Sequence, residues 1–167
     1  MNDLWKTSLG SQFGAALDML ENAVTACPAA LWGDRTQQPE FWYTVYHTLF
    51  WLDFYLSDSA AGFAPPAPYT LDEMDPAGLL PARVYTREEM LEYLRHGRAK
   101  CRVRIEGLTG ELAARRWVFG RRDFSVAELL LYTMRHVQHH AGQLNALLRR
   151  HTGSAPRWVG RAQAGRA

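Results

Sequence analysis

Cysteine is scarce in this chain. There are two, Cys27 and Cys101, far apart and in neither a CxxC nor a zinc-ribbon spacing. That argues against a disulfide scaffold and points to buried thiols in a reducing compartment, with a single disulfide left open as the alternative. Long apolar runs are missing as well, so no segment is expected to cross a membrane. The opening MNDLWKTSLGSQFG lacks the basic start and apolar core of a signal peptide, which makes a cytoplasmic location the expectation. Charge of one sign is also lacking, with a net charge of only +2. Arg87, Arg95, Arg98, Lys100, Arg102 and Arg104 are interleaved with Glu88, Glu89, Glu92 and Glu106, a solvated helix face rather than a nucleic-acid interface. Finally, no HExxH is present, because Val137 follows His136. The zincin protease class is thereby excluded.

What the chain does have is large aromatics, six tryptophans among them, and strong helical periodicity. Its length fits one domain over residues 1–167, with a peripheral tail from about 153. The first helix is expected from Asp3 to about Ala26, with Leu9, Phe13, Leu17, Leu20 and Val24 inward, Asp18 among the outer polar positions, and Pro28 marking the end. The second starts near Pro39 and Glu40 and runs to about Asp58, apolar nearly all round and therefore buried on most sides. Thr86 with Glu89 forms a capping box that opens a third helix to about Leu108, lined by Met90, Leu94, Cys101, Ile105 and Leu108. Ser125 with Glu128 is a similar start for a fourth helix to about His151.

Between Ser59 and Tyr85 lie five of the eight prolines and little periodicity. Phe63, Tyr69, Leu71, Met74, Leu79 and Leu80 are expected to dock this connection on the core, where it could wall a pocket. Residues 29–39 and 109–124 read as connectors without strand. In the tail, Trp158 and Val159 are candidate anchors, and the last residues are expected to be mobile. Four helices with one long crossover make an all-α four-helix bundle.

The fourth helix carries the chemistry. Leu129, Thr133, His136, His140, Leu144 and Leu147 recur at three- and four-residue steps and share one inward face. A single inward histidine is ordinarily a hydrogen-bonded core residue. Two imidazoles one turn apart can instead bind one metal ion, since zinc, nickel and ferrous iron all accept neutral imidazole. His139 lies about a quarter turn off this face and reads as flanking. A pair is too few for a stable site, and His47 in the middle of the second helix is the candidate third ligand, unless it is only a packed aromatic-cluster residue. Tyr43 and Trp51 beside it suit a shell that limits water. Asp53 is a possible hydrogen-bond acceptor behind a ligand.

At these residues the chain resembles the DinB/YfiT-like superfamily: HxxxH at His136–His140, then Gly142 and Gln143 in HVQHHAGQL, with His47 upstream. The resemblance runs over essentially the whole chain, although many relatives have arginine where this chain has Ala141. It implies an up-down-down-up bundle with its long connection between the second and third helices. It also implies a frequent homodimer and zinc, nickel or iron on His47, His136 and His140. Relatives include mycothiol-dependent maleylpyruvate isomerase, bacillithiol S-transferases and domains of iron-dependent sulfoxide synthases. A low-molecular-weight thiol cosubstrate and a small electrophilic substrate are therefore expected, with a metal-dependent hydrolase or a non-catalytic metal-binding stress protein as alternatives. Gln143, Tyr43, Trp51, Asp53 and Thr133 are candidates for the pocket or for supporting the ligands.

Overall fold

Thr86 starts its helix as its spacing predicts. In the computed structural model, which describes residues 3–162, the Thr86 side chain accepts from the Glu89 N–H, and the Glu89 carboxylate accepts from the Thr86 N–H at 2.8 Å. Helix α4, Arg87–Glu106, follows. Ser125 caps helix α6, Val126–Thr152, by one arm only, accepting from the Glu128 N–H at 3.2 Å. The reciprocal bond expected from Glu128 is not formed; Ser125 is also the last residue of a strand, paired with Arg116, which fixes the entry from that side. Gly153, at φ 76°, ends α6 in the left-handed conformation that glycine adopts without a Cβ penalty.

Helix α1 is Asp3–Ala26, and helix α3 is Phe41–Tyr55, ending three residues short of Asp58. Two pieces too short to show a periodic pattern, α2 at Ala29–Trp32 and α5 at Gly110–Ala114, interrupt the expected connectors. The expectation of no strand is also corrected. Strands β1, Arg116–Phe119, and β2, Arg122–Ser125, pair as an antiparallel hairpin with Phe119 opposite Arg122. Gly120, at φ 58°, takes the first central position of the two-residue turn, where a positive φ matches the strand twist. Arg116 Nε donates to Asp123 Oδ1 across the hairpin at 2.9 Å. Four-residue strands leave too little alternation to read.

The structure is mostly helical, and the four long helices share one core. Phe13, Leu17 and Leu20 from α1 meet Tyr46 and Phe50 from α3, Met90 and Tyr93 from α4, and Val137 and Leu144 from α6. At Gly97 of α4 an added Cβ would lie 2.7 Å from Leu52 of α3, so this glycine sets how closely the two helices approach. Asp18, expected on the polar side of α1, is instead 2% exposed and pairs with Arg98 at 2.9 Å. Both cysteines are free and buried.

The 59–85 connection docks through Phe63, Tyr69 and Met74, with the Tyr69 ring stacked on Tyr93 at 4.1 Å. Leu71, Leu79 and Leu80 stay exposed, contrary to expectation. Leu71 immediately precedes a single 3-10 turn, Asp72–Met74, and Leu79 and Leu80 fall between Gly78 and Pro81, so none of the three sits on a helix face that could turn it inward. The tail is anchored by backbone: Ala162 N–H donates to Ser11 O at 3.1 Å, and Gln12 donates to Gly160 O at 3.2 Å. Val159 packs on the core, but Trp158 is 69% exposed and is no anchor. The expected mobility of the last residues falls outside those described. Among the described residues no helix is long and apolar enough to cross a membrane.

Candidate metal centre

Helices α3 and α6 lie side by side, so that Tyr55 meets Tyr132 with ring centroids 5.3 Å apart and His47 meets His140 at 4.9 Å and His136 at 5.4 Å. The one-turn spacing on α6 sets His136 and His140 at 4.5 Å between centroids. One ligand atom from each of the three rings lies within 4.8 Å of the other two. His136 Nε2 and His140 Nε2 are 3.1 Å apart. Two nitrogens on one tetrahedral ion, each at the usual imidazole distance, stand about 3.3 Å apart. The pair is therefore spaced for a shared ion.

Two of the rings are oriented from behind. His140 Nδ1 donates to Gln143 Oε1 at 2.7 Å, and His47 Nδ1 donates to Glu73 Oε1. An acceptor on Nδ1 places the proton there and leaves the Nε2 lone pair for a cation. His136 Nδ1 is buried and has no hydrogen-bond partner among the described residues. Burial, reinforced by the neighbouring imidazoles His140 and His47, holds His136 down at about 3. Burial also holds His140 down at about 4, against the Gln143 hydrogen bond that pulls it up. Both rings are neutral at pH 7, the state in which imidazole ligates.

Glu73 is the functional residue that sequence reasoning missed. It sits in a single 3-10 turn, Asp72–Met74, within the proline-rich connection, and its side chain is 4% exposed. Its carboxylate accepts from His47, from Tyr43 Oη at 3.0 Å and from Trp51 Nε1 at 3.1 Å. Nothing in the local pattern distinguishes Glu73 from Asp72 or Asp75. The only signal was indirect: a wall-forming connection opposite two aromatic residues carrying polar hydrogens.

The other candidates divide. Tyr43 and Trp51 reach the centre through Glu73, and their rings lie 6.4 and 6.3 Å from that of His47. Gln143 reaches it through His140, while His139 is exposed beside it, as expected. Thr133 is fully buried and donates to Leu129 O at 2.7 Å, so its hydroxyl serves its own helix. Asp53 is a correction. It is six residues from His47, well round the helix, and its carboxylate is bound by Tyr93, His96 and Lys100 on the α4 side. It supports no histidine of the cluster.

The family model described as the DinB superfamily matches residues 12–144, a span that includes all three histidines. No curated protein and no solved structure matches the chain.

Proposed function

The chain belongs to the DinB superfamily, and from that premise we propose a metal-dependent enzyme. Its divalent ion is held by His47, His136 and His140, and its reaction transfers a low-molecular-weight thiol to a small electrophile. The observation that carries this reading is the convergence of three imidazole nitrogens within 4.8 Å. Three imidazoles suit zinc, nickel or ferrous iron, and three protein ligands leave a further position for a reactant, as in catalytic rather than closed structural sites.

A divalent ion held by His47, His136 and His140 would supply Lewis acidity that lowers the pKa of a thiol or water brought to it toward neutral pH. The chain's own part is orientation and shielding. Glu73 and Gln143 hold the His47 and His140 rings in the ligating tautomer. Trp51 and Tyr55, stacked at 5.4 Å, and Tyr132 against Tyr55 make an aromatic wall beside His47 and His136. Neither resident cysteine suits the role of nucleophile, because burial pushes the Cys27 thiol up to about 11 and the Cys101 thiol up to about 12. The nucleophile therefore comes from solution.

We extend the proposal to an up-down-down-up helix order, which is supported by the pairing of Asp53 in α3 with Tyr93 early in α4 and of Asp58, just past the end of α3, with Arg104 late in α4. The pairing of Lys6 with Glu106 O at the opposite ends of α1 and α4 supports it too. A cytoplasmic homodimer acting on a small molecule belongs to the same proposal. The test is metal-loaded protein with a panel of small thiols and a chromogenic aryl halide. Thiol transfer forms a carbon–sulfur bond and expels halide only when thiol is present. Turnover without thiol would mark a hydrolase, and retained metal with no turnover would mark a non-catalytic metal protein.

A further inference from the structure

A cavity lined by none of the three histidines lies between the start of α3 and the end of α6. Thr44, one turn before His47, and Gln143, one turn after His140, border this cavity of about 470 Å³, which extends to Arg149 and Arg150 at the end of α6. Leu144 and Leu147 give it apolar lining, and the amide side chains of Gln37 and Gln38 line it as well. Gln143 belongs to both places, since it lines this cavity while its Oε1 holds His140 Nδ1 at 2.7 Å.

Two arginines give this cavity its charge, although they are not alone in lacking a carboxylate, since Arg35, Arg95, Arg121 and Arg135 form no ion pair among the described residues either. Arg83, Arg98, Arg104, Arg115 and Arg116 each pair with a carboxylate. Arg149 and Arg150 are exposed and form no ion pair among the described residues. Their place in the last turn of α6 suits the helix dipole, which accounts for positive charge there. It does not account for an amide-bordered cavity that shares Gln143 with the ring of His140. Guanidinium groups bind carboxylates in paired, charge-assisted hydrogen bonds.

We propose that this cavity is an anion subsite of the histidine centre. It takes the carboxylate of a substrate or cosubstrate whose reactive end lies at His47, His136 and His140 and whose middle is largely apolar. The inference rests on the metal-centre reading above and names the chemistry of what that centre takes. From His140 to Arg149 is about 13 Å along a helix axis, and helical side chains lean back toward the N-terminus, here toward the histidines. The ligand is therefore extended, and a two- or three-carbon acid is too short to span both ends.

The test is calorimetric titration of zinc-loaded protein with 8-mercaptooctanoate, 8-mercaptooctanol and 3-mercaptopropionate. The long acid is expected to bind about tenfold more tightly than the alcohol of the same length. It should also bind more tightly than the short acid. The paired substitution Arg149→Gln with Arg150→Gln should remove that advantage while leaving the affinity for the alcohol and the zinc content unchanged. Equal binding of long acid and alcohol, or an advantage that survives the double substitution, overturns the subsite. Failure of the metal centre shows itself separately, as protein that does not hold zinc before any thiol is added. The subsite is then read with octanoate on metal-free protein, where the double variant must bind more weakly or the proposal falls.

Discussion

Helix α3 carries a polar cluster on each of two flanks, and the clusters are built in opposite ways. On the α4 flank, Asp53 is 1% exposed and meets Tyr93, His96 and Lys100. The Lys100 ammonium reaches Asp53 Oδ1 at 2.5 Å and Asp53 O and Ser57 Oγ at 2.8 Å each, so all three of its hydrogens have acceptors. The chain supplies its own cation there, and the group closes. On the α6 flank three imidazoles converge, and the residues behind His47 and His140 are acceptors, Glu73 and Gln143. Among the described residues no lysine or arginine hydrogen-bonds any of the three rings, and the one cation felt at His136, Arg122, acts on it only through its charge. Buried polar groups need compensation. A cluster that contains its compensation is a clamp between helices; one that must draw it from outside is a binding site.

Breaking the clamp gives the largest expected loss of stability. Asp53→Ala strips the acceptor from a half-buried ammonium and is expected to cost about 3 kcal/mol, read from urea unfolding, with metal content unchanged. A loss below about 0.5 kcal/mol, within the range of ordinary surface substitutions, would show that the cluster is not a clamp. Breaking the orientation of the site comes next. Glu73→Gln keeps the shape but weakens the acceptor behind His47, and metal affinity is expected to fall about 10- to 100-fold. Competition with a chelator of known affinity measures it, and an unchanged affinity would deny Glu73 its positioning role.

The pH response of the metal-free protein sharpens the comparison. His136 and His140 are held at about 3 and about 4 when folded, below the ordinary histidine value. The unfolded chain therefore takes up protons below about pH 6.5 while the folded chain does not. Stability is expected to fall as pH drops from about 6.5 toward 4, and to flatten below about 3. Urea midpoints between pH 7 and 4 should show this slope in wild type and a shallower one in His136→Leu with His140→Leu. Identical slopes would remove the electrostatic account of the centre. The smallest effect lies far from both clusters. Glu89 is held down at about 2 by Arg83 and the Thr86 cap, on the surface. Glu89→Gln should cost roughly 0.5 to 1 kcal/mol, measured by thermal unfolding, without touching metal.

The same contrast explains what the sequence could show. The histidine pair was legible because α6 is regular, and 3.6-residue periodicity puts His136 and His140 on one face whatever surrounds them. His47 was legible as the midpoint of an apolar helix. Glu73 was not, because its position depends on how a proline-rich connection folds back over α3, which no periodicity encodes. Asp53 was assigned to the wrong flank for the opposite reason. On a helix buried nearly all round, hydrophobic pattern does not say which neighbour each polar residue will face, and only the presence of Lys100 and Tyr93 on α4 decides it. The hairpin at 116–125 is set by a two-residue turn and one cross-strand arginine–aspartate pair, signals too local to compete with the surrounding helical pattern.

The most direct test of the account is elemental analysis of protein purified without a metal-binding tag, beside His47→Ala, His136→Ala, His140→Ala and His139→Ala. The account expects about one equivalent of divalent metal in the unaltered protein and in His139→Ala, and none in the other three. Folded protein that carries no metal and takes up neither zinc, nickel nor ferrous iron would contradict it, leaving the three histidines as side chains packed between two helices.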